Sequence, residues 1–163
     1  MFAFIHARAQ NIDHLFGQLR EAGHPTFAYV RGASEKLLGE IACDTIRATA
    51  DPIDLTRIME GCDAVICNGG HSTIAVALMA GRPLMLVPQL IEQALMAYRL
   101  QQAGLAITIG SNFQPGRFRS VLDQILTGSP QKEKAAEFAE KYKDFDMALN
   151  VAAISERCEQ IIA

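Results

Sequence analysis

The sequence predicts an α/β protein built on a doubly wound, six-stranded parallel sheet followed by C-terminal helices. Three observations predict it. Short apolar runs alternate with amphipathic stretches, six times over; the runs are continuous instead of alternating apolar with polar; and several helical stretches close on glycine. Strands covered on both faces read as unbroken apolar runs, because neither face meets water. Strand and helix in alternation imply crossover connections that place helices on both sides of one sheet. The order 3-2-1-4-5-6 is the one this class favours.

Phe2 to Ile5 is too brief for a helix and suits a first buried strand. Asn11 then offers a helix N-cap, with Ile12, Leu15, Phe16 and Leu19 on one face and Gly23 as the stop. Thr26 to Val30 and Thr45 to Thr49 read as strands two and three. Pro52 suits the start of a short helix carrying Leu55, Ile58 and Met59 inward. The clearest buried strand is Asp63 to Cys67, running into Gly69-Gly70 and a helix with Ile74 and Leu78 that closes at Gly81. Leu84 to Val87 is the fifth strand, stopped by Pro88. Ile91, Ala94, Leu95 and Tyr98 define a helix ending at Gly104, and Ala106 to Ile109 is the sixth strand. Gln131 to Phe145, with Phe138, Tyr142 and Phe145, and Met147 to Ile162, with Leu149, Ile154, Cys158 and Ile161, complete the chain as helices.

The 163 residues fit one domain, residues 1–163, with no repeat, low-complexity tract or linker. Half the residues are hydrophobic, a fifth are charged and the net charge is -3, so no nucleic-acid partner is expected. Arg117 and Arg119 read as a solvated helix face. Cys43, Cys62, Cys67 and Cys158 lack metal-site spacing and read as reduced, mostly buried thiols of a cytoplasmic protein. No signal peptide is read at Met1, and no apolar stretch approaches the ~20 residues that span a bilayer.

Doubly wound sheets bind ligands beyond the carboxyl ends of the strands where the strand order reverses, here between strands one and four. The loops concerned are His6-Ala7-Arg8 and Asn68-Gly69-Gly70-His71-Ser72-Thr73. The second has the physics of an anion site. Paired glycines permit close backbone approach, the next helix offers free N–H groups and its positive end, and Ser72 and Thr73 add hydroxyls. Read alone, the same residues equally describe a tight strand–helix turn with Ser72 or Thr73 as N-cap. There is neither a G-x-G-x-x-G nor a P-loop lysine.

The wider segment shifts the balance between these readings. Cys62 to Thr73 is followed by Ala80-Gly81-Arg82-Pro83 and then by Val87-Pro88-Gln89-Leu90-Ile91-Glu92-Gln93. This resembles the donor-domain signature of the UDP-glycosyltransferase superfamily and its antibiotic-glycosylating relatives: a strand, His-Gly-Gly-x-Gly-Thr, a helix, Ala-Gly-x-Pro, a strand, and Pro-Gln-x-x-Asp-Gln. The match is dense from about Leu55 to Ile109. The resemblance implies the Rossmann-like C-terminal half of a GT-B glycosyltransferase. It implies that Asn68, Gly69, Gly70, His71, Ser72 and Thr73 hold the donor diphosphate, that Glu92 and Gln93 contact the donor sugar, and that Pro52, Ile53, Asp54 and Leu55 flank the nucleobase. Asn68 stands where the family has its phosphate-contacting histidine, and Val76 where it has a ribose-binding glutamate. His71, three residues on, is a candidate replacement for the missing imidazole.

The substrate so implied is a nucleotide-sugar, UDP- or dTDP-linked, with no separate cofactor and no metal. The partner implied is an acceptor-binding N-terminal domain or a separate subunit, and a peripheral membrane acceptor is compatible with it. No catalytic residue is expected in this chain, because the family's base lies on the other half, so the chain by itself is expected not to turn over. A lone half is also expected to expose apolar surface. Two other readings stay open: a degenerate donor domain used as a binding or scaffolding subunit, and a UDP-N-acetylglucosamine 2-epimerase-like domain.

Overall fold

The computed structural model describes residues 1–110 and 112–162. Strands β1 (Phe2–His6), β2 (Thr26–Arg31), β3 (Ile46–Thr49), β4 (Val65–Cys67), β5 (Leu84–Leu86) and β6 (Ala106–Thr108) form one sheet in the expected order, β3-β2-β1-β4-β5-β6. Every strand pair is parallel. Successive side chains on a strand face opposite sides, and this produces the continuous apolar runs. Ala3 and Ile5 of β1 enter one core, with Ala28, Val30, Ile66 and Met85. Phe2 enters the other core with Val65, Cys67, Leu84 and Leu86, and Phe4 packs against it.

Helices α1 (Ile12–Ala22), α2 (Glu35–Ile41) and α6 (Pro115–Leu126) contribute residues to the first core. Helices α3 (Leu55–Glu60), α4 (His71–Met79), α5 (Ile91–Gln102) and α7 (Pro130–Lys141) contribute to the second. Ile12, Leu15, Phe16 and Leu19 are the buried face of α1, and Gly23 closes it in the left-handed conformation. Asn11 at its N-cap is itself left-handed, with φ of 58°. Gly81, with φ of 69°, closes α4 against α7, where an added Cβ would sit 3.5 Å from the Ala139 Cβ and 3.6 Å from the Ala136 Cα.

The structure departs from the sequence reading in several places. Helix α3 begins at Leu55, not Pro52, because the Asp54 carboxylate accepts hydrogen bonds from the N–H groups of Thr56 (2.9 Å) and Arg57 (3.3 Å) and so defines the N-cap. Helix α2 was not expected, and of α6 only the solvated face of Arg117 and Arg119 was. Ser34 caps α2, and α6 opens on Pro115 and buries Phe118, Val121, Leu122 and Ile125 at helical spacing. Helix α7 stops at Lys141, so Tyr142 and Phe145 lie beyond it. The apolar stripe that marks α5 in the sequence turns outward. Ile91, Leu95 and Tyr98 are exposed, and the helix rests on Ala97 and Leu100. Helix α8 (Met147–Ile162) forms over the expected span, but residues 148–162 are exposed throughout. Two of the four cysteines are buried, Cys43 is half-buried and Cys158 is exposed. Among the described residues no helix is long and apolar enough to cross a membrane.

Candidate functional site

The carboxyl ends of β1 and β4 lie side by side at the point where the sheet order reverses. Beyond them a crevice opens as two adjoining hollows, of about 240 and about 250 Å³, which share His6, Asn68 and Gln93. Arg8, Gln89 and Leu90 border the first. The second runs over Phe4 to Leu55, Gly70, Ser72, Thr73 and Arg31. Among the described residues, two arginines and a histidine line these hollows and no carboxylate does, in a chain whose net charge is -3.

The turn after β4 is built for close approach. Gly69 takes φ of 98°, open to glycine at little cost, and packs its Cα side on Gln93 of α5. Gly70 is the N-cap of α4, and no side chain caps that helix. The reading of Ser72 or Thr73 as N-cap is therefore not what forms. The first intrahelical bond is Ile74 N–H to the Gly70 carbonyl, at 3.1 Å. The N–H groups of His71, Ser72 and Thr73 precede it and have no intrahelical acceptor. Gly70, Ser72 and Thr73 line the crevice, so the helix's partial positive end lies at its wall.

Asn68 has a bracing role that its place in the sequence does not reveal. Its Oδ1 accepts from the His6 N–H at 2.9 Å, and its Nδ2 donates to the Val87 carbonyl at 2.9 Å. One side chain thus ties the ends of β1, β4 and β5 together. Gln89 extends the brace, accepting from the Gln10 N–H at 2.7 Å and so holding the loop after β1. Gln93 turns its Oε1 back to the N–H groups of Gln89 (2.9 Å) and Leu90 (3.3 Å), fixing the entry to α5. Below, burial pushes the Cys67 thiol up to about 12, against a smaller opposing hydrogen bond with the Gly69 backbone.

Of the residues singled out from the sequence, the structure brings Asn68, Gly70, Ser72, Thr73, Gln93 and Leu55 to the crevice. Gly69 does not line it and packs against Gln93 instead. His71 and Glu92 face a separate shallow hollow of about 170 Å³ between α4 and α5, with Leu95 and Arg99. Pro52 and Asp54 are exposed and Ile53 is half-buried on the approach to α3. Arg31 and Phe4 were not foreseen at the site. Only the register of β1 with β2, which pairs His6 with Arg31 and Phe4 with Tyr29, carries them there.

A doubly wound α/β domain with an anion-receptive crevice at its switch point is the class that this fold and site define. Residues 15–156 match the family of erythromycin biosynthesis protein CIII-like C-terminal domains, and the chain belongs to that family. Among curated proteins it is similar to UDP-glucosyltransferase avaP of Aspergillus versicolor, 26% identical over 58% of this chain and 21% of that protein. It is also similar to NDP-glycosyltransferase YjiC of Bacillus subtilis (strain 168), 35% identical over 39% of this chain and 15% of that protein. Among solved structures, the spinosyn rhamnosyltransferase SpnG complexed with spinosyn aglycone superposes with a TM-score of 0.79 at 18% identity, over 95% of this chain and 44% of that one. The glycosyltransferase VinC in complex with DTDP gives 0.73 at 19% identity, over 96% and 42%. The matched stretches span 21% and 15% of the two curated relatives, and the chain spans about two fifths of the solved ones.

Proposed function

We propose that this chain is the donor-binding half of a glycosyltransferase that moves a sugar from a nucleoside diphosphate sugar to an acceptor hydroxyl. One observation carries the reading. At the switch point, an uncapped helix N-terminus and a set of basic side chains converge on a crevice lined, among the described residues, by no carboxylate. Such an arrangement stabilises the charge that grows on a departing diphosphate, with donors fixed before the reaction begins. In this reading the diphosphate lies at Gly70, Ser72 and Thr73, the base lies over Phe4 and Leu55, and the sugar lies towards Gln93. The VinC structure holding DTDP and the SsfS6 structure complexed with thymidine diphosphate support a uridine or thymidine diphosphate as the leaving group.

Transfer also requires that the acceptor hydroxyl lose a proton. We assign that step, and acceptor binding, to a second domain or subunit, since the solved glycosyltransferases are more than twice the length matched here. The chain by itself therefore binds donor and transfers nothing. Calorimetric titration with UDP, dTDP, their sugar conjugates and the matching monophosphates tests the reading, and diphosphates are expected to bind more tightly than monophosphates. Silence across the panel would sink it. That silence would favour a scaffolding role, for which the commitment of Asn68 to bracing is the specific support.

A further inference from the structure

Position 68 leaves a question of charge. The superfamily that this segment resembles places an imidazole there, whereas here an uncharged amide spends one acceptor and one donor on the strand ends. His71, the nearest candidate in sequence, faces the side hollow with Glu92 and not the crevice. Positive charge reaches the crevice from the opposite wall. β1 and β2 run parallel in register, so their paired residues share a face of the sheet. Along that face, Phe2 stacks with Phe27 at 6.4 Å between centroids and Phe4 meets Tyr29 at 4.8 Å. The next pair in the row is His6 with Arg31, at the open end.

Both residues are prepared for a ligand. The His6 Nδ1 accepts the Arg8 N–H at 3.2 Å, which leaves Nε2 as the hydrogen-bearing nitrogen. Among the described residues, the Arg31 side chain has no hydrogen bond and no ion pair, although it is a guanidinium at the edge of a crevice. A guanidinium left unpaired in a site without carboxylates is suited to phosphate, whose oxygens it meets two at a time.

We propose that Arg31, with His6 beside it, supplies the charged contact to the donor diphosphate that position 68 does not. The two residues face the α4 N-terminus across the hollow, so a diphosphate is held from both walls. This assignment rests on the donor-site reading above. It also makes a distinction that reading does not: a monophosphate meets one wall, and the preference for diphosphate over monophosphate comes from Arg31.

The test is calorimetric titration of the full chain and of R31Q, R31K and H6Q with UDP, UMP, dTDP, dTMP and inorganic pyrophosphate. Thermal melting runs alongside as a check that each variant folds. R31Q is expected to weaken UDP or dTDP binding tenfold or more, the range of a charge-assisted hydrogen bond (roughly 10- to 100-fold). Its effect on UMP and dTMP is expected to be much smaller. R31K recovers part of the loss, H6Q shows a lesser defect of the same kind, and the melting temperature of R31Q stays put. If the unaltered chain binds UDP or dTDP and R31Q binds them equally well, the assignment is overturned and the donor site stands. The same holds if R31Q weakens mono- and diphosphate alike. If the unaltered chain binds none of these probes, both fall together.

Discussion

Replacing Asn68 by aspartate changes almost no volume and turns one hydrogen-bonding group around. The bond from the His6 N–H, 2.9 Å from Oδ1, survives and gains charge assistance. The bond to the Val87 carbonyl does not. At 2.9 Å a donor becomes a carboxylate oxygen facing another acceptor. Losing that bond costs about 1 kcal/mol, and a half-buried acceptor left facing a like partner costs about 1–3 kcal/mol more. The uncapped end of α4 nearby returns about 1 kcal/mol to a negative charge. The destabilising terms exceed that return, for a net loss of about 1–3 kcal/mol. In a domain of this size each kcal/mol lowers the melting temperature by about 2–4 °C, so N68D is expected to melt about 2–12 °C below the unaltered chain. Thermal denaturation followed by circular dichroism at pH 7, with urea melts as a second measure, reads this directly. If N68D melts within about 1 °C of the unaltered chain, the amide is not a brace, and the reasoning that moved the charged contact to Arg31 loses its starting point.

Two further outcomes follow from the geometry. Gly69→Ala forces a side chain onto φ of 98° and is expected to cost about 1–2 kcal/mol, whereas Gly70→Ala meets nothing within 4 Å and is expected to leave the melting temperature nearly unchanged while weakening nucleotide binding. Equal melting losses for the two variants would contradict the distinct conformations read here. For the thiols, brief alkylation at neutral pH with mass-spectrometric mapping is expected to label Cys43 and Cys158 and to spare Cys62 and Cys67 until urea unfolds the chain. Hydrogen bonds from Thr45 hold the Cys43 thiol below its ordinary value, and burial raises that of Cys62. The Cys67 thiol, raised from 9.0 to about 12, favours the fold fully below pH 9. Above pH 9 the unfolded chain ionises first, so stability falls by up to about 1.4 kcal/mol per pH unit as the pH climbs towards 12. Urea melts of a Cys67→Ala variant that show the same alkaline decline would refute this attribution.

Local pattern was enough for much of the molecule. The six apolar runs had only one way to hide both faces, and Gly23, Gly81 and Gly104 marked helix ends because left-handed backbone is open to glycine at little cost. The paired glycines before α4, with Ala80-Gly81-Arg82-Pro83 and Pro88-Gln89 after it, located the crevice and pointed to the family. Helix α6 was legible as well: Phe118, Val121, Leu122 and Ile125 stand at helical spacing after Pro115, with Arg117 and Arg119 on the solvated face between them.

What the sequence alone determined is the periodicity of each segment, since that depends on neighbours a few positions away. What only the tertiary structure decided is which surface each segment meets. The apolar spacing of Ile91, Leu95 and Tyr98 predicted a helix correctly but not that this stripe faces outward while Ala97 and Leu100 hold the sheet. Asn68 reads as a ligand until its amide is seen spanning to His6, 62 positions away, and to Val87. Arg31 reads as a strand-end residue until the register of β1 with β2 sets it beside His6 over the crevice. Hydrogen bonds and strand registers of this kind join residues far apart in the chain, and no local pattern records them.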